Sequence, residues 1–200
     1  LSLGGQILLE ILAKKNDICD FAIIESALAM PMKVTQKMIK PAFSMSYGLI
    51  SKKWFSKMQF NSLGIKKELF DDYYIDTCKI TKENMIAFME ANSKYEIKDT
   101  LQDTKARVLV IVGEKERPIM KKSADKINEK IGTSSIEVIP NYFHGELSIN
   151  NPDRYISIMN ELIAEKETKL NEVVVNNRNT TTLSSENNVE KSKGIILEER

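Results

Sequence analysis

One serine, one glutamate and one histidine stand at positions from which they could carry out nucleophilic chemistry together. Ser2 lies just before an apolar segment of helical character, Glu116 lies in a short polar loop, and His144 is the only histidine of the chain. A serine hydroxyl attacks a carbonyl carbon when a histidine removes its proton and a carboxylate orients that histidine. The question is whether the fold brings these three side chains together.

The stretch around Ser2 reads Leu-Ser-Leu-Gly-Gly, which is the pattern Gly-x-Ser-x-Gly without its first glycine. In that pattern the serine occupies a sharp turn between a strand and a helix. We expect small residues at Gly4, and less strictly at Gly5, because the helix begins too close to the strand for a Cβ atom. The N–H of Leu3, at the helix N-terminus, would then face an oxyanion. An ordinary N-cap serine followed by a loop glycine fits the same residues.

Three apolar segments predict the strands that would position this chemistry, at 18–25, 107–112 and 135–140. Their short β-branched runs are typical of buried parallel strands. Residues just beyond the carboxyl ends of parallel strands meet at one edge of the sheet. Glu116 follows the second strand and His144 the third, so we expect them at the same edge. Helices are predicted at 4–15, from Pro118 to near Gly132, and at 152–165.

The chain between the first two strands has a different composition, rich in Met, Phe, Tyr and Trp at helical spacing. It predicts helices near 33–42, 44–57, 65–75 and 82–93, the last with Thr81 as N-cap. A helical subdomain with its own core and a mobile lid with an adaptable apolar inner face are both compatible with this pattern.

These segments predict an incomplete α/β core at 1–31 and 100–165, a helical lid insert at 32–99, and a disordered polar tail at 166–200. A net charge of +1 gives no reason to expect nucleic acid or a membrane as partner. Cys19 and Cys78 have no metal or redox spacing, which favours free thiols and a cytoplasmic location; we expect no metal and no organic cofactor. The chain begins with Leu inside a motif, so we expect it to be a fragment.

The order Ser, acid, His resembles that of the α/β-hydrolases. The resemblance is carried by Leu1-Ser2-Leu3-Gly4-Gly5, by Val108-Leu109-Val110-Ile111-Val112-Gly113-Glu114-Lys115-Glu116, and by Phe143-His144-Gly145-Glu146 with Asn151-Pro152 after it. It covers residues 1 to about 165, as the C-terminal part of such a domain with its N-terminal strands missing. It implies Ser2 as nucleophile, His144 as general base and then acid, Glu116 as the residue that orients His144, and the Leu3 N–H as one oxyanion donor.

Several alternatives stay open at this point. The family usually has Asp where this chain has Glu116, and Glu114 and Glu25 are rival acids; Glu146 fits a surface charge better. The implied activity is that of a serine hydrolase acting on a small apolar ester or acyl substrate, with amide or C–C cleavage not excluded. A non-catalytic ligand-binding protein or inactive remnant is the competing class. With the second oxyanion donor missing, we expect the chain alone to be poorly active or inactive.

Overall fold

A three-stranded parallel sheet lies at the centre of the structure, a computed structural model that describes residues 1–165. The strands are β1 (Phe21–Glu25), β2 (Arg107–Gly113) and β3 (Ser134–Ile139), in the spatial order β1-β2-β3. The mixed α/β class predicted from the sequence is confirmed. The predicted tail at 166–200 lies outside the described residues.

The strands begin and end close to the predicted positions, with one clear difference in β1. The prediction placed its start at residue 18, but pairing with β2 begins at Phe21, which lies opposite Arg107. Ile18 is 48% exposed and lies three residues before the first paired position of β1. Strand β2 pairs on both sides and is buried along nearly its whole length, as its unbroken apolar sequence requires.

Helices α1 (Leu3–Lys14) and α6 (Pro118–Lys130) pack against the sheet in one hydrophobic core. Leu9 of α1 and Ile127 of α6 are fully buried there with Val108 and Val110 of β2. Full burial of one such side chain contributes about 1.5–3 kcal/mol. This core fixes the start of α1, and therefore the position of Ser2, relative to the sheet.

The chain between β1 and β2 is helical, as predicted. Its helices are α2 (Lys33–Ser46), α3 (Lys53–Ser62), α4 (Phe70–Lys79) and α5 (Lys82–Lys94), with short 3-10 segments at Tyr47–Leu49, Lys67–Leu69 and Asp99–Asp103. Thr81 caps α5 through its side chain, which accepts a hydrogen bond from the Asn84 N–H. The predicted break near residue 43 is wrong. Helix α2 continues past Pro41, an exposed residue whose missing N–H costs one hydrogen bond while Ile39 stays buried.

The helical segment has a small core and several exposed large apolar side chains, three methionines among them. Phe60 is 2% exposed and its ring packs edge-on against Phe70, with centroids 5.3 Å apart. Six large apolar side chains of this segment are between 47% and 87% exposed: Met38, Met45, Trp54, Met58, Ile75 and Phe88. The two ends of the segment are tied together by the Met32 N–H, which donates to the Ser93 carbonyl at 2.8 Å.

Beyond β3, the chain forms a short helix α7 (Glu146–Asn150), which the sequence analysis did not predict, and residues 152–165 are helical, as it did. Residues Leu1–Tyr155 form one compact unit, and the described residues 156–165 belong to a second. Among the described residues, no helix combines the length and the apolar character needed to cross a bilayer.

Candidate functional site

Ser2 occupies the turn that opens α1, and its backbone is strained. Its φ of 50° and ψ of −120° lie in a region that non-glycine residues seldom adopt and that costs on the order of 1–3 kcal/mol. The Ser2 side chain forms no capping hydrogen bond with the helix, so the N-cap interpretation of this serine is not supported. Its N–H donates instead to the Glu25 carbonyl at the end of β1, at 2.9 Å. A strained serine between a sheet edge and a helix is the geometry expected of the Gly-x-Ser-x-Gly turn.

The glycines after Ser2 divide their roles differently from the prediction. A Cβ atom at Gly5 would lie 2.8 Å from the Ala27 side chain, so this is the position where α1 passes too close to the chain after β1. A Cβ atom at Gly4 would meet nothing within 4 Å among the described residues. The expectation that Gly4 is the more constrained of the two is therefore wrong for the contacts that the structure describes.

Glu116 and His144 meet at the carboxyl edge of the sheet, as their places after β2 and β3 predict. His144 Nδ1 lies 2.8 Å from Glu116 Oε2. A carboxylate only accepts hydrogen bonds, so Nδ1 carries the proton and Nε2 is left as the basic nitrogen. The Glu116 side chain is fully buried, whereas that of His144 is 44% exposed. The imidazole is thus anchored on one side and accessible on the other.

The second oxygen of Glu116 is held by two further donors. Ser26 Oγ donates to Oε1 at 2.6 Å, and the Gly113 N–H donates to the same atom at 2.8 Å. Burial works to raise the pKa of the Glu116 carboxyl, but the hydrogen bonds from His144, Ser26 and Gly113 outweigh it and hold that pKa below its ordinary value. Glu116 is therefore a carboxylate at neutral pH despite its burial.

The rival acids bind other groups. Glu114 Oε2 accepts from the Asn141 N–H at 2.8 Å, and Glu146 Oε2 accepts from the Phe143 N–H at 2.8 Å. Glu25 is buried, with Oε1 3.3 Å from the Ser148 N–H and Oε2 without a hydrogen-bond partner. Of the four glutamates considered, Glu116 is the one that contacts His144.

The Ser2 turn and the chain just after β1 both lie close to the His144 loop. The Gly145 N–H donates to Ser26 Oγ at 3.3 Å, and Ser26 directly follows the residue that accepts from the Ser2 N–H. The Leu1 side chain packs closely against Gly145: a Cβ atom added to Gly145 would lie 2.8 Å from a Leu1 methyl carbon. Residues adjoining Ser2 and His144 are therefore in direct contact.

Gly113 lets the His144 loop approach the sheet. A Cβ atom at Gly113 would lie 2.7 Å from the carbonyl carbon of Tyr142 and 2.9 Å from the Phe143 oxygen. Both are backbone atoms, which cannot move aside as a flexible side chain can. The glycine that ends β2 therefore sets the distance between the strand and the loop that carries His144.

Ser26 is a residue of this site that was not predicted from the sequence. It follows β1 directly, is 3% exposed, and has a φ of 53°. Its position after the carboxyl end of a strand, at the edge where Glu116 and His144 were expected, was the available signal. The described residues contain no group of three or more His, Cys, Asp or Glu side chains that could hold a metal ion.

No protein-family model matches the sequence, and no curated protein matches it. Solved structures with a similar fold include a carboxylesterase from the thaumarchaeon Nitrososphaera gargenis, at 18% identity and a TM-score of 0.61, with 82% of this chain and 62% of that chain covered. An esterase from Exiguobacterium antarcticum matches at 15% identity and a TM-score of 0.63, over 82% of this chain and 65% of that one. A bromoperoxidase from Bacillus anthracis matches at 13% identity and a TM-score of 0.64, over 81% and 65%.

At these identities the similarity concerns the fold. The chain spans less than two thirds of the length of each of these three structures. The neighbours are α/β-hydrolase esterases, bromoperoxidases and hydrolases, which confirms the resemblance drawn from the sequence and its incomplete extent. The chain has a partial α/β-hydrolase fold, which runs from the Ser2 turn to the helix after His144.

Proposed function

We propose that this chain is the part of a serine hydrolase that carries the reacting residues, with Ser2 as nucleophile, His144 as general base and Glu116 as the carboxylate that orients His144. The observation that carries the proposal is the 2.8 Å contact between Glu116 Oε2 and His144 Nδ1 at the sheet edge next to the strained Ser2 turn. The chain order Ser, acid, His supports the assignment, as does the contact of Leu1, beside Ser2, with Gly145, beside His144.

The direction of proton transfer follows from this contact. With Nδ1–H donated to Glu116, the Nε2 lone pair of His144 takes the proton of the Ser2 hydroxyl as the Ser2 oxygen attacks the carbonyl carbon. The buried carboxylate of Glu116 stabilises the imidazolium that results. The same nitrogen then gives its proton to the leaving group, and a water molecule hydrolyses the acyl–serine ester with His144 again as base.

The backbone N–H of Leu3 is the proposed oxyanion donor. Leu3 is the first residue of α1, and the first N–H groups of a helix have no acceptor within the helix. The helix dipole adds to the attraction for a negative oxygen at that end. Loss of one oxyanion donor costs on the order of 10²–10³ in rate, so we expect low turnover from any form with Leu3 as its one donor.

An apolar ester or acyl group is the proposed substrate class. Exposed side chains of the helical segment, among them Met38, Met45 and Met58, support this, because methionine side chains adapt to apolar groups of varied shape. We propose that this segment acts as a lid. Covalent catalysis by serine needs no metal or organic cofactor. We also propose a cytoplasmic location, which the two free cysteines fit.

Labelling with a fluorophosphonate probe tests the proposal, since the probe reacts with activated serines. It is applied to the 200-residue chain and to a form that includes whatever residues precede Leu1 in the native protein. We expect labelling of the second form, weaker labelling of the first, and none after Ser2→Ala or His144→Ala. Absence of labelling in a folded native form would sink the hydrolase proposal and leave a ligand-binding protein or a remnant.

A further inference from the structure

Ser26 forms the link between the carboxylate of Glu116 and the backbone beside His144. Its Oγ donates its one proton to Glu116 Oε1 at 2.6 Å and accepts from the Gly145 N–H at 3.3 Å. One buried hydroxyl therefore contacts the carboxylate and the residue that follows the histidine. No other side chain among those that bind Glu116 or Gly145 in the described residues makes both contacts.

We propose that Ser26 is a positioning residue for the reaction, because its hydroxyl fixes the Glu116 carboxylate and the His144 loop in one geometry. This inference rests on the proposed function for its catalytic meaning, although the contacts of Ser26 do not depend on it. Ser26 itself touches no reacting atom and acts through the Glu116–His144 pair.

The hydrogen bonds around Glu116 show why the hydroxyl matters. Oε2 is given to His144, so the orientation of the carboxylate plane depends on what holds Oε1. Two donors hold Oε1 now, and removal of the Ser26 hydroxyl leaves the Gly113 N–H alone. The same removal leaves the Gly145 N–H without its acceptor. Both supports of the imidazole, the carboxylate and the loop, loosen together.

The backbone conformation of Ser26 also supports a role for its side chain. A φ of 53° suits glycine and strains most other residues, yet a serine stands there. Its N–H donates to the Ile111 carbonyl at 2.9 Å, which extends the pairing of β1 with β2 and holds the residue in this conformation. Strained residues persist where the surrounding structure holds them, and they cluster at active sites.

Two substitutions separate the hydroxyl from the backbone. Ser26→Ala removes the hydroxyl and keeps the strain, whereas Ser26→Gly removes the hydroxyl and relieves it. Ser123→Ala is the matched control, since Ser123 is also fully buried but donates only to the Ile119 carbonyl within α6. We expect both Ser26 variants to label about 10–100-fold more slowly with the fluorophosphonate in the native form, from the loss of one hydrogen bond to a charged group. Ser123→Ala should label as the unsubstituted protein does.

A spectroscopic measurement reads the pair without any reaction at Ser2. Because His144 is the only histidine of the chain, its ring signals in an NMR spectrum need no separation from others. The Nδ1 proton should be observable and protected from exchange in the unsubstituted chain, and lost by exchange with water in both Ser26→Ala and Ser26→Gly. Thermal melts should show both Ser26 variants folded at the temperature of the NMR measurement, which excludes unfolding as the cause of a lost signal.

The outcomes are distinguishable. If the unsubstituted protein labels while both Ser26 variants match Ser123→Ala in labelling rate and in the His144 signal, the inference about Ser26 is overturned and the hydrolase proposal stands. If no folded form labels but the His144 signal depends on Ser26, the hydrolase proposal fails while the positioning of the Glu116–His144 pair by Ser26 stands. Slow labelling and a lost signal in both variants support the two together.

Discussion

Replacing Gly113 by alanine tests how the sheet sets the position of the histidine. The added methyl would lie 2.7 Å from the Tyr142 carbonyl carbon, and it would lie still closer to the Tyr142 oxygen. Carbon atoms in contact normally stay about 3.5–4.0 Å apart, so the loop must retreat by roughly 1 Å. The Lys115 N–H, which donates to the Tyr142 carbonyl at 2.9 Å, resists that movement.

Both stability and reactivity should respond. Overpacking of this kind costs about 1–3 kcal/mol in the free energy of unfolding. With a urea slope of about 2 kcal/mol per molar, the unfolding midpoint should fall by about 1 M. A displacement of 1 Å between His144 and Ser2 should slow fluorophosphonate labelling by on the order of 10².

Urea unfolding followed by circular dichroism, together with the labelling rate, measures the two effects. Gly132→Ala is the control, because a Cβ atom there would meet nothing within 4 Å. It should leave both quantities nearly unchanged. If Gly113→Ala unfolds at the same urea concentration as the unsubstituted chain and labels at the same rate, the His144 loop does not approach β2 as closely as described here.

Three further predictions concern the rest of the site and chain. Because the pKa of Glu116 lies below its ordinary value of 4.5, the ionised side chain stabilises the fold at pH values above 4.5. This contribution is lost as the pH falls through the lower pKa of the folded state. Thermal melts should therefore show that Glu116→Gln is most destabilised at neutral pH. Gly5→Ala should lower the melting temperature, whereas Gly4→Ala should leave it unchanged or raise it. Cys78, which is exposed, should react with a thiol reagent faster than the half-buried Cys19, whose thiol pKa is raised by burial and by Asp20.

Each of these has a result that contradicts it. For Glu116→Gln, it is a loss of stability, relative to the unsubstituted chain, that grows as the pH falls toward 3. For the glycines, it is a Gly4→Ala variant that is less stable than Gly5→Ala. For the cysteines, it is equal modification rates in the folded chain, measured by mass spectrometry of the labelled peptides.

The strands and the contact between Glu116 and His144 could be predicted because their signals are local. The unbroken apolar run of β2 and the polar loops after β2 and β3 placed Glu116 and His144 at one sheet edge. The resemblance favoured Glu116, but the residues alone left Glu114 open, because only Lys115 separates the two and the backbone of that loop decides which one turns inward. The structure directs Glu114 to the Asn141 N–H instead.

The role of Ser26 and the division between Gly4 and Gly5 depend on tertiary contacts. The proximity of Ser26 to Glu116 joins residues 90 positions apart, and the crowding at Gly5 comes from Ala27 across the sheet edge. Neither contact leaves a periodic trace in a single sequence. The predicted boundary between the first two helices of this segment was also misplaced, because the helical spacing of apolar residues does not mark where one helix ends; α2 runs to Ser46.

Fluorophosphonate labelling of Ser2 in the native form is the decisive experiment for the proposed Ser2, His144 and Glu116 triad. We expect one labelled residue, identified as Ser2 by peptide mass spectrometry, with labelling lost in both Ser2→Ala and His144→Ala. Labelling that persists after Ser2→Ala, or a folded native protein that does not react, would contradict it.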